Sequence, residues 1–416
     1  MNAKKRILIL TADAGFGHRS AANAVAAALE EAFPDQCQVE ISNPLDDRRT
    51  PFFLRDSQSD YDTIIRNAPE LYRFGYDASD SKVPNAILES ALAVLLYEVI
   101  RDELSRFRPD AIITTYPLYQ APLDAVFTIR NFQIPLLTVV TDLATVHRVW
   151  FHNAAGLCLA PTPEVRELAL KYELPAEKVI LTGLPVSTEI LRERRDRTTL
   201  RQSLGWDPHL PTLLAVGSRR VDNLLETLDV INHFGSPLQV AVVAGRDAEL
   251  YAQLRAVDWH VPAHIYEYAA NVPTMMRAAD LLICKAGGLI VTEALASGLP
   301  MILIDALPGQ ETGNAEYVTA NGAGVLAPTP LEVLRTLSHW LMHDQRELRQ
   351  AAQNARAVGK PEAAYTIARL AWDAAQKGPS PSAESRATGR LTLIDLLTRF
   401  HVDWQENLLA PGKKKP

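Results

Sequence analysis

The 416-residue chain is 47% apolar, long enough for two domains with separate cores and too long for a single small module. A net charge of −7 leaves no general excess of Lys and Arg for neutralising a phosphate backbone, so a nucleic-acid partner is not expected. Cys37, Cys158 and Cys284 stand far apart with no CxxC or Cys/His spacing, which argues against a disulfide framework and a zinc site and for a cytoplasmic compartment.

The first apolar run, Ile7–Leu10, is too short for the core of a signal peptide, and Glu89 and Glu98 interrupt the apolar stretch near residue 95. Neither a leader nor a membrane span is expected. Along the chain, β-rich runs alternate with helical patterns: RILILTA before a helix from Ser20, AIITTYP after an amphipathic stretch at 88–107, then IPLLTVVTD, AGLCLAPT and KVILTGLP. The alternation restarts after the charged stretch LRERRDRTTLRQSLGWDPHLP with TLLAVGS, LQVAVVAG, HIYEYA, DLLICKAGG and MILIDAL. This pattern predicts an α/β chain with two Rossmann-like domains built on parallel sheets, residues 1–187 and 206–376, joined by a linker at 188–205. GPSPSAESRATG then reads as a flexible linker, giving a linker and tail over 377–416.

Open parallel sheets bind ligands beyond the carboxyl ends of their strands, so the loops there carry the most weight. In DAGFGHRS, Gly15 and Gly17 lack the third glycine of a dinucleotide fingerprint, and no ribose-binding acid follows at the usual distance. His18 falls at the start of a helix on the ligand edge. The glycine pair there is either a turn alone, or the frame for a histidine that the helix's positive end keeps neutral and able to take a proton. In DLLICKAGGLIVTEA, the backbone N–H groups of Gly288, Leu289 and Ile290 can cradle a diphosphate where a helix begins. Glu293 further along is either an acid favoured by the helix dipole or an acceptor for two ribose hydroxyls. Gln310, Glu311 and Asn314 in DALPGQETGN are either a solvated loop or a group that reads sugar hydroxyls. His147 and His152 lack the spacing of a helical metal pair, and no third ligand is evident, so no metal is expected.

Taken together, these stretches resemble the GT-B glycosyltransferases that make glycolipids: monogalactosyldiacylglycerol synthases, processive diacylglycerol glucosyltransferases and, more distantly, the muramyl-pentapeptide N-acetylglucosaminyltransferase. The resemblance runs over about residues 5–376. It is carried by DAGFGHRSAANA, TVVTDLATVHRVWFH and KAGGLIVTEA…PGQETGNA. It implies a GT-B fold with two sheets facing an interdomain cleft, and inverting transfer of galactose or glucose from a UDP-sugar to diacylglycerol. His18 is then the candidate base, with Asp142 a second catalytic candidate. Gly288, Leu289, Ile290 and Glu293 hold UDP, Gln310 and Glu311 contact the hexose, Asn314 lies with them on the donor side, and the backbone near Ala269 faces uracil. Gly15, Phe16, Gly17, His147, Trp150 and His152 line the acceptor side. The family has a glycine where Phe16 stands, and a glycine-rich loop where this chain reads AVGSRRVDN; there Ser218 and Arg219 are expected at the diphosphate. No cofactor and no metal are implied. Phe52, Phe53 and Leu54, flanked by Arg48, Arg49 and Arg55, are either core residues or an apolar tip suited to a membrane surface containing anionic lipid; the second reading makes a peripheral protein on the inner face of the cell membrane the expectation. The same scaffold would serve a UDP-GlcNAc-dependent transferase with a polyprenyl-linked acceptor, or a nucleotide-sugar sensor.

Overall fold

The computed structural model describes residues 3–14, 17–55, 82–217, 221, 223–307 and 310–381. Two compact units divide the chain. Among the described residues, the first contains those up to Thr141, Val146–Leu181 and those from Ile367 to Pro381. Its elements are β1 (Lys5–Leu10), α1 (Gly17–Ala32), β2 (Cys37–Ser42), α2 (Lys82–Phe107), β3 (Ala111–Thr114), α3 (Gln120–Arg130), β4 (Phe132–Gln133), β5 (Leu136–Val139), β6 (Leu157–Ala160), α4 (Pro163–Lys171) and β7 (Val179–Leu181). The sheet order is β2-β1-β3-β5-β6-β7 with every pairing parallel.

Strands of such a sheet are covered on both faces, which is why they read as unbroken apolar runs. β1 is buried from Ile7 to Leu10, and β3 and β5 throughout. α1 presents Ala21, Ala22, Ala24, Val25, Ala26, Ala28 and Leu29 inward, small residues that permit close approach to the sheet. β2 escaped the sequence reading because CQVEIS is an edge strand with only partly covered side chains.

The second unit comprises Asp142–Thr145 and Thr182–Thr366. It holds α5 (Glu189–Arg192), α6 (Arg197–Leu204), β8 (Thr212–Val216), α7 (Leu224–Asn232), β9 (Gln239–Val243), α8 (Ala248–Ala256), β10 (Ala263–Tyr266), α9 (Val272–Ala278), β11 (Leu281–Lys285), α10 (Gly288–Ser297), β12 (Met301–Asp305), α11 (Gln310–Ala320), β13 (Gly324–Leu326), α12 (Pro330–Leu341) and α13 (Arg346–Val358). Its parallel sheet runs β10-β9-β8-β11-β12-β13. Leu214, Ala241, Leu282 and Leu303 belong to one core cluster, while their chain neighbours Leu213, Val240, Ile283 and Ile302 belong to another. That alternation is the period of two expected of a sheet packed on both faces.

The chain divides differently from the expectation of a break at 187 and a linker at 188–205. The second unit begins at Thr182, and the charged linker stretch is folded into it as α5 and α6. Leu200 and Trp206 are buried there. Arg201 is buried as well, its charge met by Asp280 at 2.6 Å and its Nε donating to the Ala278 carbonyl at 2.9 Å. Charge in this stretch therefore marks an amphipathic helix with one satisfied buried arginine. Helix α14 (Ala363–Lys377), the last among the described residues, is shared between the units, and from Ile367 it counts with the first. There Trp372 stacks on Phe33 at 4.5 Å, and β14 (Ser380–Pro381) pairs antiparallel with β4. Of the expected tail, 382–416 lies outside the described residues.

Candidate active site

In the first unit, α1 opens at Gly17 and not at Ser20, which puts His18 second in the helix. β3 and β5 are neighbours with Thr114 paired to Thr138, so the residues that follow both strands emerge side by side at the carboxyl edge. From there Thr115 and Thr141 reach the half-buried His18 ring. Its Nδ1 lies 2.9 Å from the Thr115 carbonyl oxygen and 2.7 Å from Thr141 Oγ1. A carbonyl oxygen can only accept, so Nδ1 carries the hydrogen and Nε2 carries the lone pair of the neutral ring. Tyr116 meets the ring edge-on at 5.0 Å and Trp150 lies 6.1 Å away. Beside it Arg19 binds Asp13 through Nε and Nη2 at 2.8 and 2.9 Å, which holds the Asp13 carboxyl below its ordinary range.

The remaining residues expected on this side fall as follows. Trp150 is buried in a core cluster and serves as a wall. His147 and His152 are buried, and each uses Nδ1 to accept from the backbone N–H two residues on, Val149 and Ala154, at 3.1 Å. Those nitrogens shape the loop. Asp142, next to Thr141 in sequence, groups with the second unit. Gly15 and Phe16 lie outside the described residues.

In the second unit, α10 follows β11 through Ala286 and Gly287. Gly287 has no side chain with which to cap the helix, so Gly288, Leu289 and Ile290 begin it without a side-chain acceptor. Glu293 is the sixth residue of α10, beyond the first turn where the dipole acts most strongly. Burial pushes its carboxyl from 4.5 up to about 7, and no neighbouring charge or hydrogen bond offsets that cost. A partly buried acid raised by desolvation, beside an uncapped helix start, suits a ligand that brings both an anion and hydroxyl donors.

Glu311 and Asn314, expected to face the sugar, also have partners within the protein. Glu311 forms an ion pair with Lys285 at 2.8 Å, both side chains nearly buried, and its other oxygen accepts from the Leu307 N–H at 2.9 Å. Asn314 donates to the Ala286 carbonyl at 2.9 Å. Both residues tie the start of α11 to the turn before α10. Lys285 was missed by the sequence reading, although a lysine closing an apolar strand was its signal. Ala269 is buried after β10. α11 begins at Gln310, whose side chain lies outside the described residues together with Ser218 and Arg219. Among the described residues no group of three or more His, Cys, Asp or Glu is arranged to hold a metal ion.

Two parallel-sheet units, one with a histidine at its ligand edge and the other with a nucleotide-type helix start, define a GT-B protein. Solved structures agree on the fold. Acinetobacter baumannii MurG superposes with a TM-score of 0.56 at 17% identity, over 89% of this chain and 100% of that one. The UDP-GlcNAc 2-epimerase of Neisseria meningitidis bound to UDP-GlcNAc gives 0.57 at 15% identity, over the same shares. An epimerase among these neighbours shows that the fold leaves the reaction open.

Sequence relatives narrow it. Residues 18–186 match the family described as monogalactosyldiacylglycerol (MGDG) synthase, and residues 213–369 match the glycosyltransferase family 28 C-terminal domain. The chloroplastic monogalactosyldiacylglycerol synthase of Spinacia oleracea is 33% identical over 377 residues, 87% of this chain and 71% of the relative. Monogalactosyldiacylglycerol synthase 1 of Arabidopsis thaliana is 31% identical over 373 residues, 87% and 70% respectively. The chain belongs to the monogalactosyldiacylglycerol synthase family of glycosyltransferases.

Proposed function

We propose that this protein transfers a hexose from a UDP-α-sugar to the free hydroxyl of diacylglycerol, with inversion at the anomeric carbon. The observation that carries the reading is His18, whose Nδ1 is held as a donor by Thr115 and Thr141 so that Nε2 is the basic nitrogen. Nε2 removes the hydroxyl proton as the acceptor oxygen bonds to the anomeric carbon. The bond from that carbon to the β-phosphate oxygen breaks, and UDP leaves with the electron pair. General-base assistance of this kind is worth about 10²- to 10⁴-fold in rate. The uncapped N–H groups of Gly288, Leu289 and Ile290 are fixed dipoles suited to the charge on the departing diphosphate. Glu293 accepts from the ribose hydroxyls, which favours its charged form. The similarity to monogalactosyldiacylglycerol synthases favours galactose as the hexose.

The acceptor is a membrane lipid, yet no helix among the described residues is long and apolar enough to cross a membrane. Docking at the surface is the consistent arrangement. Phe52 and Phe53 support it, being 68% and 53% exposed and packed edge-to-face at 5.8 Å. Arg49 contributes less to that surface than the sequence suggested, because Asp47 and Asp102 already bind its guanidinium. The test is incubation with UDP-galactose and UDP-glucose, each labelled in the sugar, and diacylglycerol vesicles. The proposal requires label in a lipid of one added hexose. Binding of UDP-sugar without labelled lipid would contradict it and favour a sensor.

A further inference from the structure

We infer that Thr141 is a positioning residue for catalysis, whose hydroxyl raises the basicity of His18 in the tautomer that the Thr115 carbonyl selects. The inference rests on the reading of His18 as the base.

Thr115 grips His18 twice. Its hydroxyl lies 3.0 Å from the His18 main-chain carbonyl, to which it donates, and its own carbonyl accepts from ring Nδ1 at 2.9 Å. The Thr115 hydroxyl also stands 2.9 Å from that of Thr11, and both residues are fully buried. Such a frame fixes the main chain of His18 and one edge of its ring. A second contact to Nδ1 comes from Thr141, whose Oγ1 stands 2.7 Å from it. Thr141 is itself buried, two residues beyond the end of β5. With the Nδ1 hydrogen committed toward the Thr115 carbonyl, a Thr141 lone pair takes a second share of it in a three-centre bond.

This arrangement does work during the reaction. When Nε2 takes the acceptor's proton, positive charge spreads to Nδ1–H, and both oxygen acceptors become stronger partners for the charged ring. The two are neutral dipoles, so they stabilise the imidazolium less than a carboxylate would. A base meant to be neutral before the step and charged after it is served by that intermediate strength. The other groups facing the ring leave the hydroxyl its effect. Tyr116 from the loop after β3 packs on it in a T-shaped contact, Trp150 lies tilted at 6.1 Å, and the nearby charges of Asp13 and Arg19 cancel in their bidentate pair.

Thr141→Val keeps the shape and deletes the acceptor. Measured as kcat/KM for diacylglycerol at saturating donor, its acid limb should move to lower pH by about half to one unit, because the imidazolium loses a stabilising partner. The plateau of kcat should fall about tenfold, with UDP affinity unchanged, and Thr141→Ser should restore both. A wild-type pH profile and rate in Thr141→Val would overturn the inference. So would a slower enzyme with an unmoved acid limb and a lowered Tm, which marks a packing role. Nitrogen-15 NMR of His18 in the unmodified protein reads the tautomer independently of any variant; hydrogen on Nδ1 supports the inference and hydrogen on Nε2 overturns it. His18→Ala separates the two levels. If it stays active, the base assignment itself fails, whereas an inactive His18→Ala beside an unaltered Thr141→Val sinks the role of Thr141 alone.

Discussion

Replacing Glu293 by Gln should stabilise the ligand-free protein and weaken its hold on UDP. In the folded chain burial raises the carboxyl from 4.5 to about 7. At 1.36 kcal/mol per pH unit, the ionised side chain costs the fold about 3 kcal/mol. The sign follows from proton binding. Below pH 4.5 the acid is protonated in folded and unfolded chains alike and costs nothing. As pH rises toward 7 the unfolded chain ionises while the folded one does not, so stability falls, and above 7 the full cost is present. Glutamine fills the same space without a charge. By calorimetry, Glu293→Gln should therefore gain roughly 1–3 kcal/mol at pH 8, or several degrees in Tm at about 2–4 °C per kcal/mol, and almost nothing at pH 4. UDP should bind roughly 1.5–3 kcal/mol more weakly, since charge-assisted bonds to two hydroxyls are lost. In the unmodified protein UDP affinity should also fall as pH drops below 7, because the carboxyl must shed its proton to accept, and the variant should lose that slope. An unchanged or lower Tm at pH 8, together with unchanged UDP affinity, would refute the reasoning and leave Glu293 as an ordinary helix residue.

Three other outcomes are expected. His18→Ala should lower kcat by at least about 10²-fold with UDP affinity nearly unchanged, as steady-state kinetics and calorimetry would show; near-normal turnover would reject the base. Glu311→Gln strands the nearly buried Lys285 ammonium and should cost roughly 3 kcal/mol or more by denaturant unfolding, with Lys285→Met added to it recovering part of the loss; equal stability of all three proteins would show that the pair is not structural. Phe52→Ser/Phe53→Ser should reduce vesicle binding and activity on bilayer diacylglycerol about tenfold or more while sparing Tm, because both rings are exposed; a lowered Tm with intact vesicle binding would assign them to the core.

Much of the fold is legible because a doubly covered parallel strand must be apolar along its whole length. Ile7–Leu10, Ala111–Thr114 and Leu281–Lys285 could hardly be read as anything but buried strands. β2 and β13 were harder, as edge strands whose partly covered side chains carry a weaker pattern. The stretch 188–205 misled for a different reason. Arg201 looks like a solvent residue until Asp280, remote in sequence, is placed beside it. The same holds at the site. The helix start at Gly288 and the acid at Glu293 follow from local spacing. The pairing of Lys285 with Glu311, and of His18 with Thr115 and Thr141, depends on which strands neighbour one another. Local sequence could propose Glu311 as a sugar contact, but its partners Lys285 and the Leu307 N–H emerge only once the chain is folded.

The central claim is inverting transfer to diacylglycerol, and the anomeric configuration of the lipid product tests it most directly. Proton NMR of the glycolipid made from UDP-α-galactose and diacylglycerol should show a single β-linked hexose on the formerly free hydroxyl, its formation abolished in His18→Ala. An α-linked product, or UDP and free hexose with no glycolipid, would contradict the account.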